Sequence, residues 1–409
     1  MKKLSLIIAT ILYCVTSFTA DAKLGLSEND SIALDNAVKL VDIGMPENAL
    51  PQLEEIAKRN PNNYIARYEH MYALMLLKRY DDVVKIGKKL IKMKDASDLA
   101  FQMTGLALGD LGKYDEACKM YLKGLERFPD SGILYLELGN ANAEQKKYEE
   151  ALAYYNDGIL VAPMFPSNYF RAAHILNYSS AAKIWGLVYA ETEIILAPGK
   201  KDRTEIMSKQ IRDCFLNCVK LDTVSPDSVS VKISLTPKRE IIVDKDNNKR
   251  TYLGFPGVYE GCMVNYATEL LASRQPFTAS LRQLIDLRRS VVETYFSVTD
   301  NLYGNSMYLL PYQKSIIDAG HWDAYNIFLF YTVFPQEASQ WLKDNGDRFD
   351  AFINWTQEHP FILDESHTVG MKTIYRDSRP LDMLGALKIS AGLIKPNSAE
   401  TDSIDKMLK

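Results

Sequence analysis

A period of 34 residues constrains this chain more than any other feature. Residues 101–121 and 135–155 align position by position. Gly105 recurs as Gly139, Tyr114 as Tyr148, Ala117 as Ala151, Tyr121 as Tyr155, and Pro129 as Pro163. The preceding unit carries Met71, Tyr80, Val83 and Asp95, and the one before it Ala37, Pro46, Ala49 and Pro61. A fifth, looser unit ends at Pro198 with Trp185, Gly186 and Ala190 near the packing positions. The physical reading is a helix, a turn and a second helix per unit. A small residue lets the two helices approach, and a proline ends the second because it cannot continue the intrahelical ladder. Each hairpin leaves an apolar face that only the next hairpin can cover, which predicts a stacked array rather than one globular core.

This pattern of a large residue, Gly/Ala, Tyr, Ala, an aromatic and Pro resembles the tetratricopeptide repeat family over about residues 30–198. The resemblance implies a mostly α chain with an α-solenoid of about five units, at 30–63, 64–97, 98–131, 132–165 and 166–199. It also implies that Tyr114 and Tyr148 fill the gap within each hairpin. The first helices of the units line a concave groove, with positions 2, 5, 9, 12 and 13 facing into it. In this sequence those positions include Ile65, Tyr68, Tyr72, Met75 and Leu76, then Gln102, Leu106 and Asp110. Further along come Leu136, Asn140 and Glu144, then Phe170, His174, Asn177 and Tyr178. Ile65, Tyr68, Tyr72, Met75, Gln102, Leu136, Asn140, Phe170, His174 and Tyr178 are therefore the expected partner-binding residues. The Lys/Asn/Arg clamp with which some family members hold a terminal carboxylate is not reproduced. Leu136 stands where its Lys would, although Asn140 matches. On a second helix, Lys85, Lys88, Lys89 and Lys92 fall at i, i+3, i+4 and i+7, a stripe that is either a solvated face or a contact for anionic groups.

The balance of 48 Lys and Arg against 52 Asp and Glu, a net charge of −4, gives no support to nucleic acid as a partner. At the N-terminus Lys2 and Lys3 precede an apolar stretch, Leu4–Phe18, and Ala20-Asp21-Ala22 has the small-x-small form of a cleavage site. Residues 1–22 are thus expected to be a signal peptide, the mature chain exported, and the compartment the periplasm. Peripheral association with the envelope is compatible with this, and no later stretch predicts a membrane span. Tyr13 before Cys14 argues against a lipoprotein. Cys118, Cys214, Cys218 and Cys262 remain. Cys118 reads as a small buried hydrophobe, while the other three leave open buried thiols, a disulfide involving Cys262, or a metal site.

Beyond the repeats the chain resembles no family. A capping helix and linker is expected over 200–227, with Thr204–Leu221 helical. A small β-meander is expected over 228–255, from strands at Ser228–Leu235, Glu240–Val243 and Arg250–Phe255. Asp244, Asp246 and Asn248 have alternating oxygens but lack the Gly and Glu of a calcium loop. A mainly helical domain over 256–395 comes next, with helices near 262–273, 278–298, 306–319, 321–333, 335–343, 347–358 and 380–394, and a polar tail over 396–409. No catalytic motif is present. The nearest constellation is Glu358, His359, Asp364, Glu365 and His367, with His321 as a further candidate. The leading expectation is an exported scaffold or adaptor that binds a peptide or envelope protein in its groove, needing no cofactor, no metal and no catalytic residue. The alternative is a hydrolase or metalloenzyme with a C-terminal site, to which the repeats recruit substrate. A third reading has the second half of the chain filling the groove.

Overall fold

The computed structural model describes residues 25–177, 179, 182–225, 228–233, 239–243, 249–273 and 276–374. It separates into two compact units, one of residues up to 172 with 196–201, the other of 173–195 with the residues from 202 onward.

The first unit is a succession of antiparallel helical hairpins. Helices α1 (Glu28–Asp42) and α2 (Pro46–Arg59) form the first, and α3 (Tyr64–Leu76) and α4 (Tyr80–Leu90) the second. The third joins α5 (Asp98–Asp110) to α6 (Tyr114–Arg127), and the fourth α7 (Gly132–Glu144) to α8 (Tyr148–Val161). Polar residues start the first helices. Ser27 Oγ accepts from the Asp30 amide, Asn63 Oδ1 from Ala66, and Ser131 Oγ from Leu134, relieving amides that have no intrahelical acceptor. The turn inside each hairpin needs one left-handed residue, and these recur at the repeat period: Gly44, Lys78, Gly112 and Lys146, with φ of 81°, 57°, 74° and 61°. Glycine meets that demand freely, whereas the two lysines adopt it against their Cβ.

Packing within the third and fourth hairpins turns on one aromatic ring against one glycine. A Cβ on Gly105 would lie 2.2 Å from the Tyr121 ring, and one on Gly139 2.2 Å from the Tyr155 ring. Both tyrosines are almost fully buried. They, rather than Tyr114 and Tyr148, fill the gap. Tyr148 is 53% exposed because it is the first residue of α8, at the solvent end of the hairpin. Successive units are tied by side chains 33 residues apart, one short of the period. Tyr64 Oη lies 2.7 Å from Ser97 Oγ, and Ser131 Oγ donates to Asp98 Oδ2 at 2.6 Å.

Helix α9 (Pro166–Leu176) crosses from the first unit into the second, and α10 (Lys183–Leu196) lies almost wholly in the second. The expected fifth repeat therefore does not stay with the array to residue 199. The reason lies in α10, whose residues from Ile184 to Ile194 are all buried. A helix apolar on nearly every side must sit inside a core. Glu191 and Glu193 on this helix are buried too, and each meets a cation. Arg288 donates to Glu191 Oε1, which also accepts from Gln313 Nε2 at 2.6 Å and Tyr325 Oη at 2.5 Å. Arg203 Nε lies 2.9 Å from Glu193.

Helix α11 (Lys201–Cys218) ends sooner than expected, and the chain passes straight into β1 (Val219–Ser225). The single β-meander does not form. β1 pairs antiparallel with β2 (Ser228–Ile233), and β3 (Arg239–Val243) pairs separately with β4 (Lys249–Leu253). The unforeseen strand supplies β2 with its partner, so β2 pairs back along the chain. Helix α12 (Phe255–Gly261) replaces the end of the expected third strand, with Pro256 in its first turn, where a missing amide is harmless. Then come α13 (Val264–Ser273), α14 (Leu281–Thr299), α15 (Leu309–Asp318), α16 (Trp322–Phe330), α17 (Pro335–Asp344) and α18 (Gly346–Glu358), close to the expected spans. Trp322, Tyr325, Leu329 and Phe330 of α16 are core residues. The expected signal peptide, the calcium-like loop, the helix at 380–394 and the polar tail lie outside the described residues. Among the described residues no helix is long and apolar enough to cross a membrane.

Candidate functional site

The face lined by α3, α5 and α7 combines apolar exposure with a fixed polar centre. On α3, Tyr72 is 37% and Leu76 44% exposed, Ile65 and Met75 are half-buried, and Tyr68 stacks on Tyr64 with centroids 5.8 Å apart. Leu99 on α5 is also exposed, and Leu136 on α7 half-buried. Exposed aromatic and aliphatic side chains on one face have no folding benefit, since each is stabilised only when covered. Phe170 on α9 is half-buried. His174 belongs to the second unit, where its Nδ1 lies 3.5 Å from Gln210 Nε2. Tyr178 lies outside the described residues.

Gln102 and Asn140 meet through a residue that position counting passed over. Gln102 Nε2 donates to Glu137 Oε1 at 2.9 Å, and Asn140 Nδ2 donates to Glu137 Oε2 at 3.0 Å. Tyr155 Oη donates to Asn140 Oδ1 at 2.9 Å, which orients the amide so that its NH2 points at the carboxylate. Tyr155 is the same side chain that packs on Gly139, so the hairpin's packing sets the orientation of the polar centre. Glu137 is only 8% exposed and forms no ion pair among the described residues. Its one sequence signal is a charge at the sixth position, between the apolar Leu136 and Leu138 and next to an expected groove position. Glu69 holds the equivalent place on α3. Burial, with the charge of Asp42 adding to it, pushes its carboxyl up to about 7.

On the opposite helices, Lys85, Lys88 and Lys89 of α4 are exposed, as is Lys92, which lies in the turn beyond the end of α4 rather than on it, and none makes an ion pair among the described residues. Lys85 and Lys89 edge a cleft of about 190 Å³ that also contains Arg67, His70 and Arg79. Its two acids are occupied, Glu54 with Lys58 at 3.0 Å and Asp82 with Arg79 at 2.5 Å. Burial lowers the His70 pKa, favouring its neutral ring.

The histidines and carboxylates near the C-terminal end are not assembled into one site. His359 stacks on Trp355 with centroids 4.7 Å apart, while His367 sits edge-on to Tyr308 at 4.5 Å. Asp364 serves its own turn. It accepts from the Ser366 and His367 amides at 2.8 Å and from Ser366 Oγ at 2.7 Å, bonds that hold its carboxyl down at about 2. His367 Nδ1 lies 3.3 Å from the same carboxylate oxygen and 3.2 Å from Ser366 Oγ, so the contacts stay within one turn, and the Ser366 hydroxyl donates to the carboxylate. Among the described residues, no group of three His, Cys, Asp or Glu is placed to hold a metal. The four described cysteines are free thiols. The Cys214 thiol hydrogen-bonds Cys218 within one face of α11, which raises the Cys214 pKa, and burial pushes Cys262 up to about 12.

The tetratricopeptide repeat sequence model matches residues 103–168, which take in most of the third hairpin, all of the fourth, and Glu137, Asn140 and Tyr155 but not Gln102. The solved structures similar to the chain include some described as tetratricopeptide repeat proteins. PilW, described as a widely conserved type IV pilus biogenesis factor, is 19% identical over 47% of this chain and 88% of its own, with a TM-score of 0.39. A thermophilic repeat protein from Thermus thermophilus, TTC0263, is 18% identical over 44% of this chain and 98% of its own, with a TM-score of 0.38. MamA from Desulfovibrio magneticus RS-1 is 18% identical over 43% of this chain and 99% of its own, with a TM-score of 0.35. The second half of the chain has no recognised family, and no curated protein matches the chain.

Proposed function

We propose that this chain is an exported protein–protein interaction scaffold whose repeat array holds a peptide segment or envelope protein against the face of α3, α5 and α7. The observation that carries this reading is the pairing of exposed Tyr72, Leu76 and Leu99 with the pre-oriented Gln102–Glu137–Asn140 centre. Apolar contacts supply affinity on such a face, and fixed polar groups set the register of an extended or helical ligand. The lysines and the apolar stretch of residues 2–18, followed by Ala20-Asp21-Ala22, support export to the periplasm. The cleft beside Lys85 and Lys89 favours a second, weaker contact with an anionic group, which keeps Lys88 and Lys92 in the same interface. The test is to crosslink the exported protein in its native envelope and identify what co-purifies. The comparison is a folded variant carrying Tyr68→Ala, Tyr72→Ala and Phe170→Ala. A partner captured by the native chain and lost from the variant is the expected result. Equal capture by both contradicts the groove reading.

A further inference from the structure

Building on the groove reading, and resting on it, we infer that the groove selects a segment bearing a basic side chain flanked by apolar residues, and that Glu137 receives the cation. Three observations converge on this. The first is that Glu137 is more than nine-tenths buried, yet its only described partners are the neutral amides of Gln102 and Asn140. A carboxylate in low dielectric is favourable only when its charge is compensated, and amide donors compensate less than a cation does. An ionised carboxylate has about four acceptor positions, and these two amides occupy two. The second is the composition of the face. Its assigned positions on α3, α5 and α7 are Ile65, Tyr68, Tyr72, Met75, Leu76, Gln102, Leu106, Asp110, Leu136, Asn140 and Glu144, none of them a Lys or Arg. Exposed lysines stand on the second helices of the hairpins instead, Lys58 on α2, Lys85, Lys88 and Lys89 on α4, and Lys119 and Lys123 on α6. A cation entering the face therefore meets carboxylates and aromatic rings, and no like charge at those positions. The third is rigidity. Because Tyr155 orients Asn140 and is itself locked against Gly139, the carboxylate is held in place before any partner arrives.

The occupant is thus a cationic, apolar peptide segment. A lysine or arginine would place its charged head on Glu137 and lay its methylenes along Leu106 and Leu136. The experiment uses the full chain and two fluorescein-labelled peptides that differ at one position, a Lys or a Gln set among Leu and Phe residues. Fluorescence anisotropy is read for the native protein and for Glu137→Gln, with thermal melts showing that the variant is folded. The expected result is that the Lys peptide binds the native chain at least roughly tenfold tighter, and that Glu137→Gln erases most of this preference. Tyr72→Ala should weaken both peptides alike, since it removes apolar contact only. Equal binding of the two peptides, or a preference that survives Glu137→Gln, overturns the inference while the groove reading stands. Binding that ignores both Glu137→Gln and Tyr72→Ala overturns the groove reading with it, as does the absence of binding by either peptide.

Discussion

Replacing Arg288 by methionine tests the second unit at its most costly point. Arg288 is 1% exposed and Glu191 fully buried. The guanidinium donates to Glu191 Oε1 and to Asn326 Oδ1, and sits 5.3 Å from the Trp322 ring centroid and 5.6 Å from those of Tyr325 and Phe330. Arg288→Met keeps most of the volume but leaves the carboxylate with Gln313 and Tyr325 as neutral donors on one oxygen, and no partner on Oε2. Breaking a buried pair from one side costs about 3–5 kcal/mol, because the stranded charge remains desolvated. At roughly 2–4 °C per kcal/mol for a unit of this size, the melting midpoint should fall by about 10 °C. All four tryptophans, Trp185, Trp322, Trp341 and Trp355, belong to this unit, so urea unfolding followed by tryptophan fluorescence reads it selectively. The double variant Glu191→Leu with Arg288→Met removes both charges and should recover most of the loss. A single-variant loss under about 1 kcal/mol, or a double variant no more stable than the single, would falsify the claim that the stranded charge is what destabilises.

Four further outcomes are expected. Gly139→Ala drives a Cβ into the Tyr155 ring and should destabilise the first unit by about 1–3 kcal/mol, read by far-UV circular dichroism; an unchanged melt would show that the ring has room to yield. Lys146→Gly relieves a left-handed residue and should raise stability by up to ~1 kcal/mol in the same melt, whereas a loss would mean that the lysine side chain matters more than its backbone. The Glu69 carboxyl titrates higher in the fold than in the unfolded chain, so the stability it provides is full at acidic pH and is lost as pH rises to about 7; Glu69→Gln should flatten the melting midpoint between about pH 4.5 and 7, and an unaltered slope contradicts this. Cys214, Cys218 and Cys262 should resist alkylation in the native protein and all react in denaturant without reductant, as peptide mass spectrometry reads; a residue unreactive in denaturant would reveal a disulfide.

What could be read from the residues divides along physical lines. The repeats were legible because periodic burial leaves a periodic sequence: Gly105 with Tyr121 and Gly139 with Tyr155 advertise a close helix approach twice over. Which tyrosine entered the gap was not, since Tyr148 and Tyr155 both lie on α8 and only the hairpin's geometry puts the first at its solvent end. The face residues Gln102 and Asn140 could be counted out by position, but the carboxylate joining them sits between two counted positions and is defined by its neighbours in space. Strand β1 was missed although Val219, Leu221 and Thr223 alternate with polar residues, because the helical pattern running to Cys218 masked the change of period. The fifth repeat illustrates the limit of pattern matching. Its second helix keeps Ala190 at the repeat position, yet it is apolar on nearly all sides and belongs to another core.

The proposal that the α3–α5–α7 face carries a partner is tested most directly in the living cell. A photo-crosslinking amino acid is placed at Tyr72 on that face and, separately, at Leu122 on α6, which is comparably exposed. Illumination should yield a discrete adduct from position 72 and none of that mass from position 122. The same adduct from Leu122, or none from Tyr72, would contradict a scaffold that works through this face.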